Sequence, residues 1–193
     1  MTCSKSNPDS VLIASETLKK GLIAVLPTDT VYGFSGIVDL PGKECFKTEE
    51  KIREIKGRSE TKPLIQLIAS PDDVLEYAGE IIPDSIKKLW PGPLTVIVRV
   101  KTGGTVAFRC PGDEWLRNVI KLCHSPIYST SVNRSGCPVL TSIDEICREF
   151  GNEVDLIVDD GDSKTSIPST IVKIENGEIL VVRQGAVEIG TTA

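Results

Sequence analysis

The sequence predicts an α/β fold built on one mixed, twisted sheet, and three observations carry that prediction. Short, wholly apolar runs alternate with segments of helical period. Loops rich in hydroxyls or charge follow those runs at once, and two pairs of strands are joined by glycine turns.

Taken in order, Pro8, Asp9 and Ser10 offer caps for a first helix with Val11, Leu12, Ala14, Ser15 and Leu18 on one side and Gly21 as its stop. Residues 22–26 form a continuous apolar run and read as a buried strand. The loop PTDTVYG, Pro27 to Gly33, follows where the carboxyl end of a sheet meets a connection, the place where open α/β sheets hold ligands. A helical segment opening at Pro41 and Gly42 brings Cys45, Thr48, Ile52 and Ile55 to three- and four-residue steps, so Lys56, Gly57 and Arg58 fall at its exit. Residues 64–69 are the next strand, and the loop before them carries Arg58 and Lys62. Ser70 to Asp73 caps another helix, and residues 83–90 form one more.

The segment Trp90-Pro91-Gly92-Pro93 is a rigid break before a strand over 94–100, which Gly103 and Gly104 turn into an antiparallel partner over 105–110. A helix over 113–123 leads to a strand at 127–131. Thr141, Ser142 and Glu145 read as a capping box for a helix ending at Phe150, and 154–158 is a strand. Residues 169–174 and 179–183 form a hairpin around Asn176-Gly177.

At 193 residues, the chain is expected as one domain over 9–187, between a flexible amino terminus, 1–8, and a tail, 188–193. Its apolar fraction of 40% and charged fraction of 25% fit a soluble globular protein. No apolar run approaches the roughly 18 residues that a membrane span needs. The first residues lack the apolar stretch of a secretory signal, so the expected location is the cytoplasm. Six singly scattered cysteines without a CxxC pair read as reduced small hydrophobes. Cys110, Cys123, His124 and Cys137 lack zinc-ligand spacing, and no protein-ligated metal is expected.

A net charge of −5 argues against a protein that wraps nucleic acid. Against that background, residues 51–62 carry five basic and two acidic side chains, with Gly57 between two of the cations. That local reversal suits an anion site, phosphate above all; it also suits a solvated helix end whose cations complement the helix dipole.

Small hydroxyls and cations recur in the loops after strands: Thr30; Lys56, Arg58 and Lys62; Thr105 and Arg109; Ser129, Ser131 and Asn133; Ser169 and Thr170; and Arg183. Hydroxyls hold phosphate and carboxylate oxygens, and guanidinium groups pair with both bidentately. Neither GxxxxGK[ST] nor GxGxxG is present, which argues against a P-loop or Rossmann site. His124 is the only histidine and lies at a helix end, which weakens a hydrolase triad.

In these segments the sequence resembles the YrdC/TsaC-like threonylcarbamoyl-AMP synthases, from about Leu12 to about Ala186. The family signature, KxR followed far downstream by SxN, is matched by Lys56-Gly57-Arg58 and Ser131-Val132-Asn133. The order of these triplets with PTDTVYG, KPLI, WPGPLT, VAFR, PSTIV and VVRQGAV makes the match specific. The resemblance implies a YrdC-like fold with a large concave, electropositive cleft, in the short, single-domain form since the sequence stops at Ala193. It implies synthesis of threonylcarbamoyl-AMP and pyrophosphate from L-threonine, bicarbonate and ATP, with Mg²⁺ accompanying ATP. The product would serve threonylcarbamoyladenosine modification of tRNA through a downstream transferase, with tRNA contact as an added expectation.

By resemblance, Lys56, Arg58, Ser131 and Asn133 would be catalytic. Arg58, Lys62, Thr105, Ser131 and Arg183 would contact ATP, and Thr30, Arg109, Ser129 and Ser169 would hold threonine. Lys56, Arg58, Lys62 and Arg183 are expected to face the phosphates. Two departures stand out: some longer members carry a His where this chain has Leu67, and a Ser where it has Val139. Rival readings are a non-catalytic RNA-binding module of the same fold, which the overall acidity opposes, and a paralogue that retains ATP but has lost threonine.

Overall fold

The computed structural model describes residues 1–57, 63–163, 165, 167–175 and 177–189. Among these, ten strands form one sheet in the order β1-β8-β2-β3-β7-β4-β6-β5-β9-β10. The strands are β1 (Thr2–Ser4), β2 (Ala24–Leu26), β3 (Gly33–Ile37), β4 (Ile65–Leu67), β5 (Leu94–Arg99), β6 (Thr105–Arg109), β7 (Ile127–Ser131), β8 (Leu156–Asp159), β9 (Thr170–Glu175) and β10 (Glu178–Arg183). The helices are α1 (Ser10–Lys19), α2 (Thr48–Ile55), α3 (Val74–Tyr77), α4 (Asp84–Lys87), α5 (Glu114–Cys123) and α6 (Ile143–Phe150), with a 3-10 turn at Pro71–Asp73 leading into α3.

Parallel and antiparallel pairs alternate irregularly, so the sheet is mixed as the sequence predicts. Strands β5 and β6 are antiparallel, and β9 and β10 form the expected hairpin, with Gly177 at φ 82° in its turn.

Alternation along the strands divides the apolar side chains between the two faces of the sheet. From β2, Ala24 and Leu26 join Leu18, Leu116, Val119 and Ile120 under α1 and α5. Val25 points the other way, with Phe34, Ile52, Ile146 and Phe150 under α2 and α6. At the far end of the sheet, Leu94, Val96 and Val98 of β5 pack with Phe108, Ile86 and Trp90 on a single face. On the opposite face of that end Thr95, Arg109 and Ser169 are buried, while Thr105 and Arg183 are exposed.

Several expectations are corrected. Residues 1–8, expected as a flexible end, include β1, which pairs in parallel with β8 through Cys3 and Val158; a three-residue edge strand is too short to leave a periodic signal. Strand β3 has no counterpart among the expected elements because its Gly33 and Gly36 mute the strand pattern. A Cβ at Gly36 would lie 2.7 Å from Thr48 Cβ, and one at Gly33 would lie 2.6 Å from Ser129 Oγ, so close neighbours on α2 and β7 require glycine there.

Helix α2 starts at Thr48 rather than near Pro41. The Asp39 carboxylate accepts the Phe46 and Lys47 N–H groups at 2.8 and 2.9 Å and holds the preceding residues as a loop. Leu12, expected on the inner side of α1, is 53% exposed, while Thr17 is buried in its place. Ser142 makes no side-chain cap on α6; Asp162 Oδ1 accepts the Ile143 N–H at 2.9 Å instead.

Candidate functional site

Register sets side chains from several strands on one face of the sheet. Cross-strand partners share a face, so the pairs Lys173–Ile97, Ile97–Ala107, Ala107–Ile65, Ile65–Ser129 and Ser129–Ser35 form one row across five strand boundaries. Two residues from Ala107 on the same face stand Thr105 and Arg109, at opposite ends of β6. On β10, Arg183 lies opposite Ile171, after a register shift between Val181 and Arg183.

The loop after β2 reaches this face. Thr28 Oγ1 donates to Val31 O at 2.8 Å and accepts the Thr30 N–H at 3.0 Å, which folds residues 28–31 into a tight turn. Thr30 Oγ1 then accepts from Arg109 Nη1 at 3.0 Å, and Asp29 Oδ1 accepts from Arg109 Nη2 at 2.6 Å. Arg109 Nε donates to Gly92 O at 3.2 Å. Asp29 Oδ2 also accepts the Gly112 N–H at 3.0 Å, and a Cβ at Gly112 would come within 2.9 Å of that oxygen. Only glycine allows the approach.

Arg109 is 5% exposed, and burial pulls its pKa down while the charge and hydrogen bond of Asp29 push it back. Asp29, the counter-charge of Arg109, is absent from the sequence-based set. The signal was available in PTDT, because a buried guanidinium needs a carboxylate beside it.

The second cation is held differently. Arg183 is exposed, and its Nη2 donates to Ser169 O at 2.7 Å, with Ser169 Oγ at 3.5 Å. Its pKa is lowered by partial burial and then by the charge of Arg109. Ser169 is 3% exposed, and its Oγ lies 2.8 Å from Thr95 Oγ1. Just beyond it, Thr170 Oγ1 accepts the Gly185 and Val187 N–H groups, which folds the segment after β10 back along the start of β9.

The signature triplets form a separate cluster. Lys56 Nζ donates to Ser131 O at 2.5 Å, Asn133 O at 3.1 Å and Asn133 Oδ1 at 3.0 Å, and it lies 5.5 Å from the Phe34 ring centroid. Ser131 Oγ donates to Asn133 Oδ1 at 2.7 Å, while Asn133 Nδ2 donates to the carbonyls of Arg134 and Cys137 at 2.8 Å. Lys56, expected to face phosphates, is 4% exposed and turned inward as a clamp between the exit of α2 and the end of β7. Gly57 follows at φ 62°, a left-handed turn that releases the chain from the clamp.

Thus the structure brings Thr30 to Arg109, Ser169 to Arg183, and Lys56 to Ser131 and Asn133. Ser129 stands beside Gly33, and Thr105 is exposed at the other end of β6. Arg58 and Lys62 lie outside the described residues. Leu67, register partner of Arg109, is 2% exposed in the core, so the position that carries a His in some longer relatives is apolar here. Tyr32 and Trp90 are buried packing residues, with polar tips satisfied by Gly161 O and Leu94 O.

A cavity of about 170 Å³ is bounded by Thr28, Asp29, Thr30, Tyr32 and Lys5. Lys5 bridges Asp113 and Asp160 at 2.6 and 2.8 Å; burial lowers its pKa, but these two partners raise it on balance. A larger cavity of about 550 Å³, between α3 and α5, contains none of the predicted residues, and the hydrogen-bonded constellation is the better guide to chemistry. Among the described residues, no group of three or more His, Cys, Asp or Glu is placed to hold a metal ion, and no helix is long and apolar enough to cross a membrane.

Comparison with known proteins gives consistent matches. A family model, Sua5/YciO/YrdC, described as telomere recombination, matches residues 16–185. A protein of Pyrococcus abyssi named threonylcarbamoyl-AMP synthase is 32% identical over 192 residues, covering 93% of this chain and 55% of its own length. One of Methanocaldococcus jannaschii, named putative threonylcarbamoyl-AMP synthase, is 34% identical over 187 residues, covering 90% of this chain and 86% of its own. The crystal structure of P. abyssi Sua5 complexed with L-threonine superposes with a TM-score of 0.79 at 30% identity, covering 91% of this chain and 54% of that one. The chain therefore spans about half the length of the Pyrococcus relative.

Proposed function

The chain belongs to the Sua5/YciO/YrdC family, and from that premise we propose that it is a threonylcarbamoyl-AMP synthase. It would join L-threonine, bicarbonate and ATP into threonylcarbamoyl-AMP with release of pyrophosphate. The observation that carries this reading is the hydrogen bonding of Thr30 to Arg109 and of Ser169 to Arg183, which joins four separate segments in two pairs.

Threonine and bicarbonate condense, with loss of water, to a carbamate. A carbamate oxygen then attacks the α-phosphate of ATP and the bond to the β-phosphate oxygen breaks, so that pyrophosphate leaves with the electron pair. The carbamate is already anionic and needs no strong base. The barrier lies in bringing an anion to a polyphosphate, which positioning and cationic screening lower. That chemistry suits a site whose polar groups are hydroxyls and guanidiniums.

In this reading Arg109 keeps Asp29 as its permanent counter-charge and, with Thr30, Ser129 and Ser169, receives the amino acid. Three of its five N–H groups are engaged by Gly92, Thr30 and Asp29, which leaves two for a carboxylate. Arg183 with Arg58, Lys62, Thr105 and Ser131 would meet the nucleotide, and Mg²⁺ would travel on the ATP phosphates. Lys56 and Asn133 act as positioning residues, fixing the point from which Arg58 departs. The product would pass to a transferase acting on tRNA, in the cytoplasm.

The test is pyrophosphate release by the pure protein with ATP, L-threonine and bicarbonate, each omitted in turn. Release that requires all three supports the reading. Release indifferent to threonine points to the paralogue that has lost it, and steeply salt-dependent RNA binding without release marks a binding module.

A further inference from the structure

Thr95 belongs to WPGPLT, a motif whose threonine has no role in the scheme above. Its neighbours Leu94 and Val96 enter the core, whereas Thr95 faces the opposite side, opposite Ile171 of β9, and is 0% exposed. A fully enclosed β-branched position on a strand would accept valine as readily, so the shape of the side chain leaves its hydroxyl unexplained.

That hydroxyl has one partner among the described residues, Ser169 Oγ at 2.8 Å. Two hydroxyls sharing one hydrogen bond hold one spare proton between them. Were Ser169 the donor, the Thr95 proton would be left without an acceptor in a site closed to water, which is costly. With Thr95 as donor, the spare proton sits on Ser169, next to the exposed Arg183.

Arg183 reinforces that choice. Its Nη2 donates to Ser169 O at 2.7 Å and lies 3.5 Å from Ser169 Oγ, on the approach of a second, longer donor. A serine oxygen that accepts from Thr95 and faces Arg183 has its lone pairs occupied, so its own O–H turns outward as a donor.

We infer that Thr95 is a positioning residue that fixes Ser169 as a hydrogen-bond donor to an anionic oxygen of the amino-acid substrate. This rests on the function proposed above, and it adds to the site a residue that does not itself touch substrate. The device favours an acceptor group, a carboxylate or carbamate oxygen, at Ser169, and disfavours a neutral donor such as an amide N–H.

The experiment is steady-state pyrophosphate release with calorimetric binding of L-threonine, for wild type, Thr95→Val, Thr95→Ser, Ser169→Ala and the double variant Thr95→Val/Ser169→Ala. Thr95→Val keeps the volume and removes the proton, and should raise the KM and Kd for threonine about tenfold while leaving the KM for ATP near wild type. Thr95→Ser should restore threonine affinity, and the double variant should bind no more weakly than Ser169→Ala alone.

A merely structural Thr95 would lower thermal stability without separating the two KM values. Wild-type threonine affinity in Thr95→Val, or additive losses in the double variant, overturns the inference. Should Thr95→Val fail to fold, Thr95→Cys, of similar size with a weak donor, replaces it under the same criteria. A wild-type protein that binds no threonine overturns the functional proposal instead, so the two failures are distinguishable.

Discussion

The Lys56 clamp and the Arg109–Arg183 pair both set cations among oxygen acceptors; Lys56 and Arg109 are both buried, whereas Arg183 is exposed. At the clamp, the ammonium is turned inward onto Ser131 O, Asn133 O and Asn133 Oδ1. In the pair, Arg109 is offset by a single carboxylate and Arg183 is anchored only to a serine. In the structure Lys56 joins the exit of α2 to Ser131 and Asn133 at the end of β7, two segments far apart in the sequence.

The contrast between clamp and pair is most exposed to test at Lys56. Lys56→Met strands three buried or half-buried oxygens, and the expected cost is about 3 kcal/mol, a fall in Tm of roughly 6–12 °C for a chain of this size. Thermal unfolding followed by circular dichroism measures it. A variant that loses turnover but keeps its Tm would place Lys56 among the substrate contacts and erase the distinction.

Asp29→Asn comes next. It preserves shape but leaves a guanidinium that is 5% exposed without its counter-charge, at an expected cost of about 2 kcal/mol in denaturant unfolding. An unchanged midpoint would mean that Arg109 does not depend on Asp29 in solution.

The smallest stability effect lies at Ser35, on the cross-strand row beside Ser129. Its Oγ is the one buried side-chain polar atom among the described residues with no hydrogen-bond partner. Ser35→Ala should therefore be neutral or stabilising, by about 1 kcal/mol at most, in the same assay. A clear destabilisation would show that this hydroxyl is engaged as firmly as those of Thr95 and Ser169.

The fold was legible where apolar runs and turns were strong. The β5–β6 pair and the β9–β10 hairpin follow from Gly103-Gly104 and Asn176-Gly177, β2 from its unbroken apolar run, and β4 from an apolar run interrupted only by Gln66. Strand β3 was hidden by glycines whose reason is tertiary, namely the approach of Thr48 and Ser129. Strand β1 was hidden because three residues with a single small apolar side chain, Cys3, are too few to show a period.

The site was legible as a set of residue types, and the Thr30–Arg109 contact joins two segments that the motifs had singled out. What the sequence did not reveal was direction. That Lys56 turns inward, that Asp29 neutralises Arg109 and that Thr95 faces Ser169 are consequences of register and burial, which no local pattern encodes.

If negatively charged reactants meet around Arg109, Ser169 and Arg183, the decisive variant is Arg183→Ala. Threonine-dependent pyrophosphate release and Tm are to be measured on the same sample. The expected result is a loss of about 100-fold or more in kcat/KM at an almost unchanged Tm, since an exposed side chain contributes little to stability while a cation beside developing charge contributes much. Wild-type turnover in that variant would show that the reactants meet elsewhere.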